Sequence, residues 1–128
     1  MTYIGFDFGT RKIGVASGES VTNTATALTI IACIKHKPDW PIINQIISQW
    51  RPAGLVVGIP THMDNRTQSM THKAQRFCRQ LEGRYKLPVH GIDERLSSLA
   101  AIQISNKPMI DDIAAQIILQ SWLNEHDN

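Results

Sequence analysis

Thr2-Tyr3-Ile4-Gly5-Phe6-Asp7-Phe8-Gly9-Thr10-Arg11-Lys12-Ile13-Gly14-Val15-Ala16-Ser17 is the stretch on which the fold turns. Thr2–Phe8 alternates and is rich in aromatic and β-branched residues, which predicts a strand. Gly9-Thr10-Arg11 predicts a turn and Lys12–Ser17 a second strand, so the two form a hairpin. Asp7 stands near the end of the first strand. Its neighbours Ile4, Phe6 and Phe8 are apolar, so burying its charge is costly. Gly5 and Gly9 flank it and leave room for a ligand or phosphate to approach the backbone. An ordinary strand-end Asp beside glycine is the plainer reading of these residues alone.

Outward from this hairpin, Thr22–Ile34 predicts a third strand with a ragged start. Asp39 precedes Trp40-Pro41, a good helix start. Ile42, Ile43, Ile46, Ile47 and Trp50 follow at helical spacing, and Arg51-Pro52 ends that helix. Leu55–Ile59 is an unbroken apolar run, as expected of a strand buried on both faces. Pro60–Arg66 reads as a polar loop. A helix from about Gln68 to Glu82 places Met70, Ala74, Phe77 and Leu81 on one side, with Gly83 closing it. Pro88–Asp93 predicts a fifth strand and Leu96–Ile104 a short helix. Ser105–Pro108 is a turn, and Asp111–Leu123 a last, largely apolar helix. Three hairpin-joined strands followed by alternating helices and strands make an α/β protein. Its sheet is mixed and five-stranded, three strands antiparallel and then two parallel, with helices on both faces.

At 128 residues, 42% hydrophobic and 19% charged, the chain fits one domain, residues 1–128, with an ordinary globular core. The formal charge of +2 argues weakly for nucleic acid. Cys33 and Cys78 have no metal-ligand spacing and read as reduced, packed thiols. The N-terminus lacks a signal-peptide pattern, and no apolar run approaches the ~20 residues of a membrane span. A cytoplasmic protein without a membrane partner is expected.

Three places carry the acids of interest. Asp93 and Glu94 end a strand and point to opposite sides, so only one shares a face with Asp7. The other is a helix cap, or Glu94-Arg95 is an exposed ion pair worth little. Asp111 and Asp112 open the last helix. Asp111 falls in line with Ala115, Ile118 and Trp122, the core-facing side, while Asp112 rotates toward Gln116 and Leu119. Either also suits a helix cap. Asp7, Glu94 and Asp111 are able to meet at one rim of the proposed sheet. Three such carboxylates repel without a cation, and their hard oxygens suit Mg²⁺ or Mn²⁺. Two ions about 3.5–4 Å apart clamp the attacking and leaving oxygens of a phosphodiester displacement.

The basic residues are more clustered than the net charge implies. Lys73, Arg76 and Arg79 recur at i, i+3 and i+6 of the second helix, joined by His72, Arg84 and Lys86. From Thr71 to Lys86 the local charge is +4, suited to phosphate, though a solvated helix face has the same pattern. Arg11, Lys12, Arg66 and Arg95 sit near the proposed rim, where they are candidates to hold backbone phosphates. His62, His90 and His126 show no ligand spacing.

Gly5-Phe-Asp-Phe-Gly-Thr-Arg-Lys-Ile-Gly-Val-Ala16 resembles the opening motif of the bacterial YqgF family, also called RuvX. Val57-Gly-Ile-Pro-Thr-His-Met-Asp64 is similar to its second motif and Asp93-Glu-Arg-Leu-Ser97 to its third. Lys107 to Leu119, with Ile110-Asp111, Ala114-Ala115 and Ile117-Ile118-Leu119, is similar to its fourth. The matches run in order over nearly the whole chain. The resemblance implies an RNase H-like fold related to RuvC-type Holliday junction resolvases. It also implies a nuclease maturing the 5′ end of 16S ribosomal RNA, with Asp7, Glu94 and Asp111 as the catalytic and metal-binding set. The chain departs at Asn65, where the family has Gly, and over Leu99–Pro108, a stretch several residues shorter.

Four functions are then in competition. A nuclease acting on structured precursor rRNA leads, as a monomer or weak homodimer. A resolvase acting on branched DNA has the same site but needs a dimer to cut two strands symmetrically. A non-catalytic nucleic-acid-binding protein of the same fold predicts salt-sensitive binding without cleavage. A phosphotransfer module is a distant fourth: Asp-x-Gly-Thr opens sugar-kinase and actin-like domains, but the chain is too short for their two halves.

Overall fold

The computed structural model describes residues 1–60, 65–93 and 111–126, and of residues 65–68 and 111 the backbone alone. The elements are β1 (Thr2–Asp7), β2 (Lys12–Glu19), β3 (Thr24–Ala32), α1 (Trp40–Trp50), β4 (Gly54–Ile59), α2 (Asn65–Tyr85), β5 (Val89–Asp93) and α3 (Asp111–Glu125). They form one five-stranded sheet in the order β3-β2-β1-β4-β5. β1, β2 and β3 pair antiparallel, whereas β4 and β5 run parallel to β1. This is the mixed sheet read from the sequence. The expected helix over Leu96–Ile104 and turn over Ser105–Pro108 lie outside the described residues.

Each face of the sheet has its own core. Ile4, Phe6, Val15, Leu55 and Val57 pack with Ile43 and Ile46 of α1 and with Phe77 and Leu81 of α2. Phe77 meets the Phe6 ring edge-on at 5.5 Å and the Phe8 ring at 5.0 Å, a geometry favoured by ring quadrupoles. On the opposite face Ala16, Val56 and Ile92 pack against Ala115, Ile118, Leu119 and Trp122 of α3. Helices therefore cover both faces, which explains the unbroken apolar run of β4. Among the described residues no helix is long and apolar enough to cross a membrane.

Several local expectations change. β2 extends to Glu19, and the second hairpin turns at Ser20–Asn23, with Asn23 in the left-handed region at φ 53°. Ile42 is 39% exposed, so the buried stripe of α1 is narrower than its five apolar residues. Gly83 does not close α2. The helix runs on to Tyr85, and Lys86 takes the left-handed conformation at φ 55°, its N–H donating to the Glu82 carbonyl at 2.9 Å. The stop comes from Leu87-Pro88, since the residue before a proline avoids the helical region. One helical glycine, costing about 1 kcal/mol, does not break a packed helix.

The glycines beside Asp7 have a packing role and do not leave space for a ligand. A Cβ on Gly5 meets the Leu119 Cβ at 2.8 Å, so its absence lets α3 lie close on β1. A Cβ on Gly9 meets the Lys12 carbonyl oxygen at 2.6 Å, within the first hairpin turn. Asp112 also departs from expectation. Its line on α3 does not leave the sheet: Leu119 is fully buried, and the Gln116 amide donates to the Ala25 carbonyl of β3 at 2.9 Å.

Candidate active site

β1, β4 and β5 run parallel, so their C-terminal ends share one edge of the sheet. Asp7 ends β1 at that edge. Side chains alternate along a strand, and Ile4 and Phe6 point toward α1 and α2. Asp7 therefore lies with Tyr3 and Gly5 on the α3 face. Gly14 of β2 is its register partner, and Gly58 of β4 follows Val57, the partner of Phe6. Both glycines are buried. The carboxylate thus stands between two strands that carry no side chain beside it. Register, not chain spacing, is what brings these two glycines beside Asp7.

α3 runs antiparallel to β1 across this face. Tyr3 meets the Trp122 ring at 4.8 Å, and Gly5 sits against Leu119 and the Ala115 carbonyl. Two residues of strand advance about 6.8 Å and one helical turn about 5.4 Å. Stepping from Tyr3 through Gly5 to Asp7 therefore matches stepping from Trp122 back to the start of α3. Asp111 opens that helix. Beside it, Asp112 is half-buried, and its Oδ1 is buried without a hydrogen-bond partner among the described residues.

Asp93 is not on this side. Val89 packs with the α1/α2 core and Ile92 with the α3 core, so Asp93 leaves β5 toward α1 and α2. Glu94 and Arg95 lie outside the described residues. Among the described residues no three His, Cys, Asp or Glu side chains cluster as a metal site. The donors that are described still suit a hard cation: a carboxylate at the end of β1, and near the start of α3 a buried carboxylate oxygen that has no partner among the described residues.

The basic candidates fall into separate places. Arg11 and Lys12 are exposed at the turn after Asp7. Arg66 lies in the first turn of α2. Lys73 and Arg76 are exposed on α2 and line a cavity of about 390 Å³ with Phe8 and Thr10. Arg79, rotated about 60° beyond Arg76, is not among its lining residues. Arg84 instead lies over the Trp40 ring, 4.0 Å from its centroid. The cysteines are free, and burial, with the Glu82 charge next, pushes the Cys78 thiol up to about 11. It is a packing residue and not a nucleophile.

Known proteins resemble this chain over nearly its whole length. The family described as "RuvX: Holliday junction resolvase" matches residues 1–125. A protein of Hydrogenovibrio crunogenus named "Putative pre-16S rRNA nuclease" is 47% identical over 124 residues, spanning 94% of this chain and 92% of that protein. One of the same name from Legionella pneumophila strain Philadelphia 1 is 42% identical, spanning 98% and 96%. Among solved structures, Thermus thermophilus RuvC in complex with a Holliday junction substrate superimposes with a TM-score of 0.64 at 14% identity, over 98% of this chain and 95% of that one. The fowlpox virus Holliday junction resolvase gives 0.57 at 16%, over 98% and 99%. At such identities the likeness concerns the fold, which is RNase H-like. From its sequence and its fold together, this chain belongs to the RuvX family.

Proposed function

We propose that this chain is one metal-dependent nuclease domain that cleaves a phosphodiester bond in precursor ribosomal RNA, in the cytoplasm. The observation that carries this is the placement of Asp7 at the C-terminal edge of the parallel strands, on the α3 face, between Gly14 and Gly58. The relatives' names supply the substrate class.

Asp7, Glu94 and Asp111 are the carboxylates assigned to hold Mg²⁺ or Mn²⁺. Asp93 faces the other side of the sheet, which favours Glu94 as the acid that follows β5. Bound divalent ions supply a nucleophilic water and charge stabilisation at the leaving oxygen. The chain's own part is to hold acids on strand and helix ends. Arg11, Lys12, Arg66 and Arg95 orient the backbone by holding its phosphates. The positive end of the α3 dipole supports negative charge at this rim.

The test is cleavage of a precursor 16S rRNA fragment with and without Mg²⁺ or Mn²⁺, using Asp7→Asn as control. Equal cleavage by that variant sinks the assignment. RNA binding without any cleavage by the unaltered protein marks a non-catalytic binder. The family's description favours a second reading, a resolvase of four-way DNA junctions. That reading requires a dimer in solution and symmetric junction cuts.

A further inference from the structure

The cavity beside Phe8 has a chemistry of its own. It lies at the same end of β1 as Asp7, but on the α1/α2 face of the sheet. Four cations, Lys35, Lys37, Lys73 and Arg76, line it, and no Asp or Glu does so among the described residues. Phe8 and Trp40 supply apolar wall. Asp39 stands next to Trp40 in sequence but is not part of the lining. Its charge acts on Cys33, whose thiol is pushed up first by burial and then by Asp39. All four cations are exposed, and their charges are not consumed by ion pairs with the lining.

The turn that brings two of them in is strained. Ile34 and Lys37 exchange both backbone hydrogen bonds, at 2.9 and 3.0 Å, as in a two-residue hairpin turn. The residues between them, Lys35 and His36, have φ of 52° and 64°. Such turns favour Asn-Gly, because a Cβ is disfavoured in the left-handed region. Two consecutive residues with full side chains therefore hold a conformation better suited to glycine. Strain of this kind clusters at active sites and ligand clamps.

We propose that this pocket is a substrate subsite for a nucleotide of the single strand adjoining the cleaved bond. The phosphate sits among Lys35, Lys37, Lys73 and Arg76, and the planar base lies against the wall formed by Phe8 and Trp40. A convergent cation set with an apolar wall is the chemistry that recognises a phosphate carrying a flat ring. Thr10, on the cavity wall, is three residues from Asp7, so at most about 10 Å of chain separates them. A strand crossing the end of β1 then reaches both the carboxylate on one face and the pocket on the other. This subsite rests on the nuclease reading for its substrate, but its binding does not need cleavage.

The experiment is equilibrium binding of a short 5′-phosphorylated single-stranded RNA in EDTA, across a salt series. The pair Lys35→Gln with Lys37→Gln is compared with the unaltered protein, and equal thermal melts verify the fold. The pair is expected to weaken binding about tenfold and to lower the salt slope by about 0.7 for each phosphate that is no longer neutralised. Unchanged affinity and slope overturn the subsite, whether or not the protein cleaves RNA. A free nucleoside 5′-monophosphate is the competitor. Displacement only at far higher concentration than the oligonucleotide supports a strand subsite, and equal potency overturns it in favour of a mononucleotide site. Weakened binding by the pair, in a protein that never cleaves, keeps the subsite and removes the nuclease reading.

Discussion

Asp7 and Asp93 end two parallel strands at the same edge of the sheet, yet their side chains leave it on opposite faces. Ile4 and Phe6 share the α1/α2 face with Asp93, while Asp7 shares the α3 face with Ile92. Asp7→Asn is therefore expected to lower metal-dependent cleavage by about 10²–10³-fold or more, and Asp93→Asn to leave it within a few-fold. The two variants are compared in single-turnover cleavage of a precursor fragment, with circular dichroism for the fold. Equal losses contradict the facial assignment.

The seat of α3 depends on two glycines of different kinds. A Cβ on Gly5 meets the Leu119 Cβ at 2.8 Å, whereas one on Gly18 meets the Leu119 Cδ2 at 2.8 Å and Cγ at 3.2 Å. Gly5→Ala must move the helix backbone, at an expected cost of about 1–3 kcal/mol. Gly18→Ala displaces only the ends of the Leu119 and Leu123 side chains and costs less. Leu119→Ala removes the Leu119 atoms facing Gly18, leaving Leu123 Cδ1 at 3.1 Å, but keeps the Leu119 Cβ that faces Gly5 at 2.8 Å. A double-mutant cycle from urea melts should show favourable coupling of about 0.5 kcal/mol or more for Gly18 with Leu119. It should show little for Gly5 with Leu119.

Relief of the strained Ile34–Lys37 turn separates stability from binding. Lys35→Asn with His36→Gly gives the turn the residues its left-handed backbone favours. A gain of about 1 kcal/mol is expected, raising Tm by roughly 3–5 °C. RNA affinity should fall at the same time, because a cation leaves the pocket. A calorimetric melt and a binding titration on one preparation read both effects, and a Tm that falls refutes the strain.

His90 links stability to pH. It lies 4.8 Å from the Trp122 ring and 6.5 Å from the His126 ring. Burial first, and then the His126 charge, lowers its pKa from the ordinary 6.5. The folded state thus holds fewer protons than the unfolded chain in that range, so stability rises with pH. His90's share is present above about 6.5, is lost as pH falls through its folded value, and is constant below it. His90→Phe should flatten this part of the slope between about pH 5 and 7. Carboxylates supply a slope of their own, so the readout is the difference between the two proteins in denaturant melts. An identical pH dependence excludes the role given to His90.

The order of elements was legible because each pattern is local. Alternation in Thr2–Phe8, the apolar run Leu55–Ile59 and the helical spacing of Ala74, Phe77 and Leu81 each report one element's own buried face. The motif around Asp7 marked the acid that lies at the sheet edge. Asp93 and Glu94 were legible as alternatives, since strand alternation sends them to opposite sides. The purpose of Gly5 was not legible, because the atom it avoids belongs to Leu119, far along the chain. Gly83 misled, because a helix stops where its backbone must turn, and Leu87-Pro88 forces that turn.

By itself the sequence determined the five strands, the α/β class, the RuvX family and Asp7 as the acid of interest. Tertiary structure alone decided that β1 is the central strand and that Asp7 lies on the α3 face between Gly14 and Gly58. It also decided that Lys35 and Lys37 share a pocket with Lys73 and Arg76. The physical reason is range. Periodicity records which side of one element avoids water. Register and helix docking are settled by packing between residues far apart in the chain, and that packing chooses which charges meet.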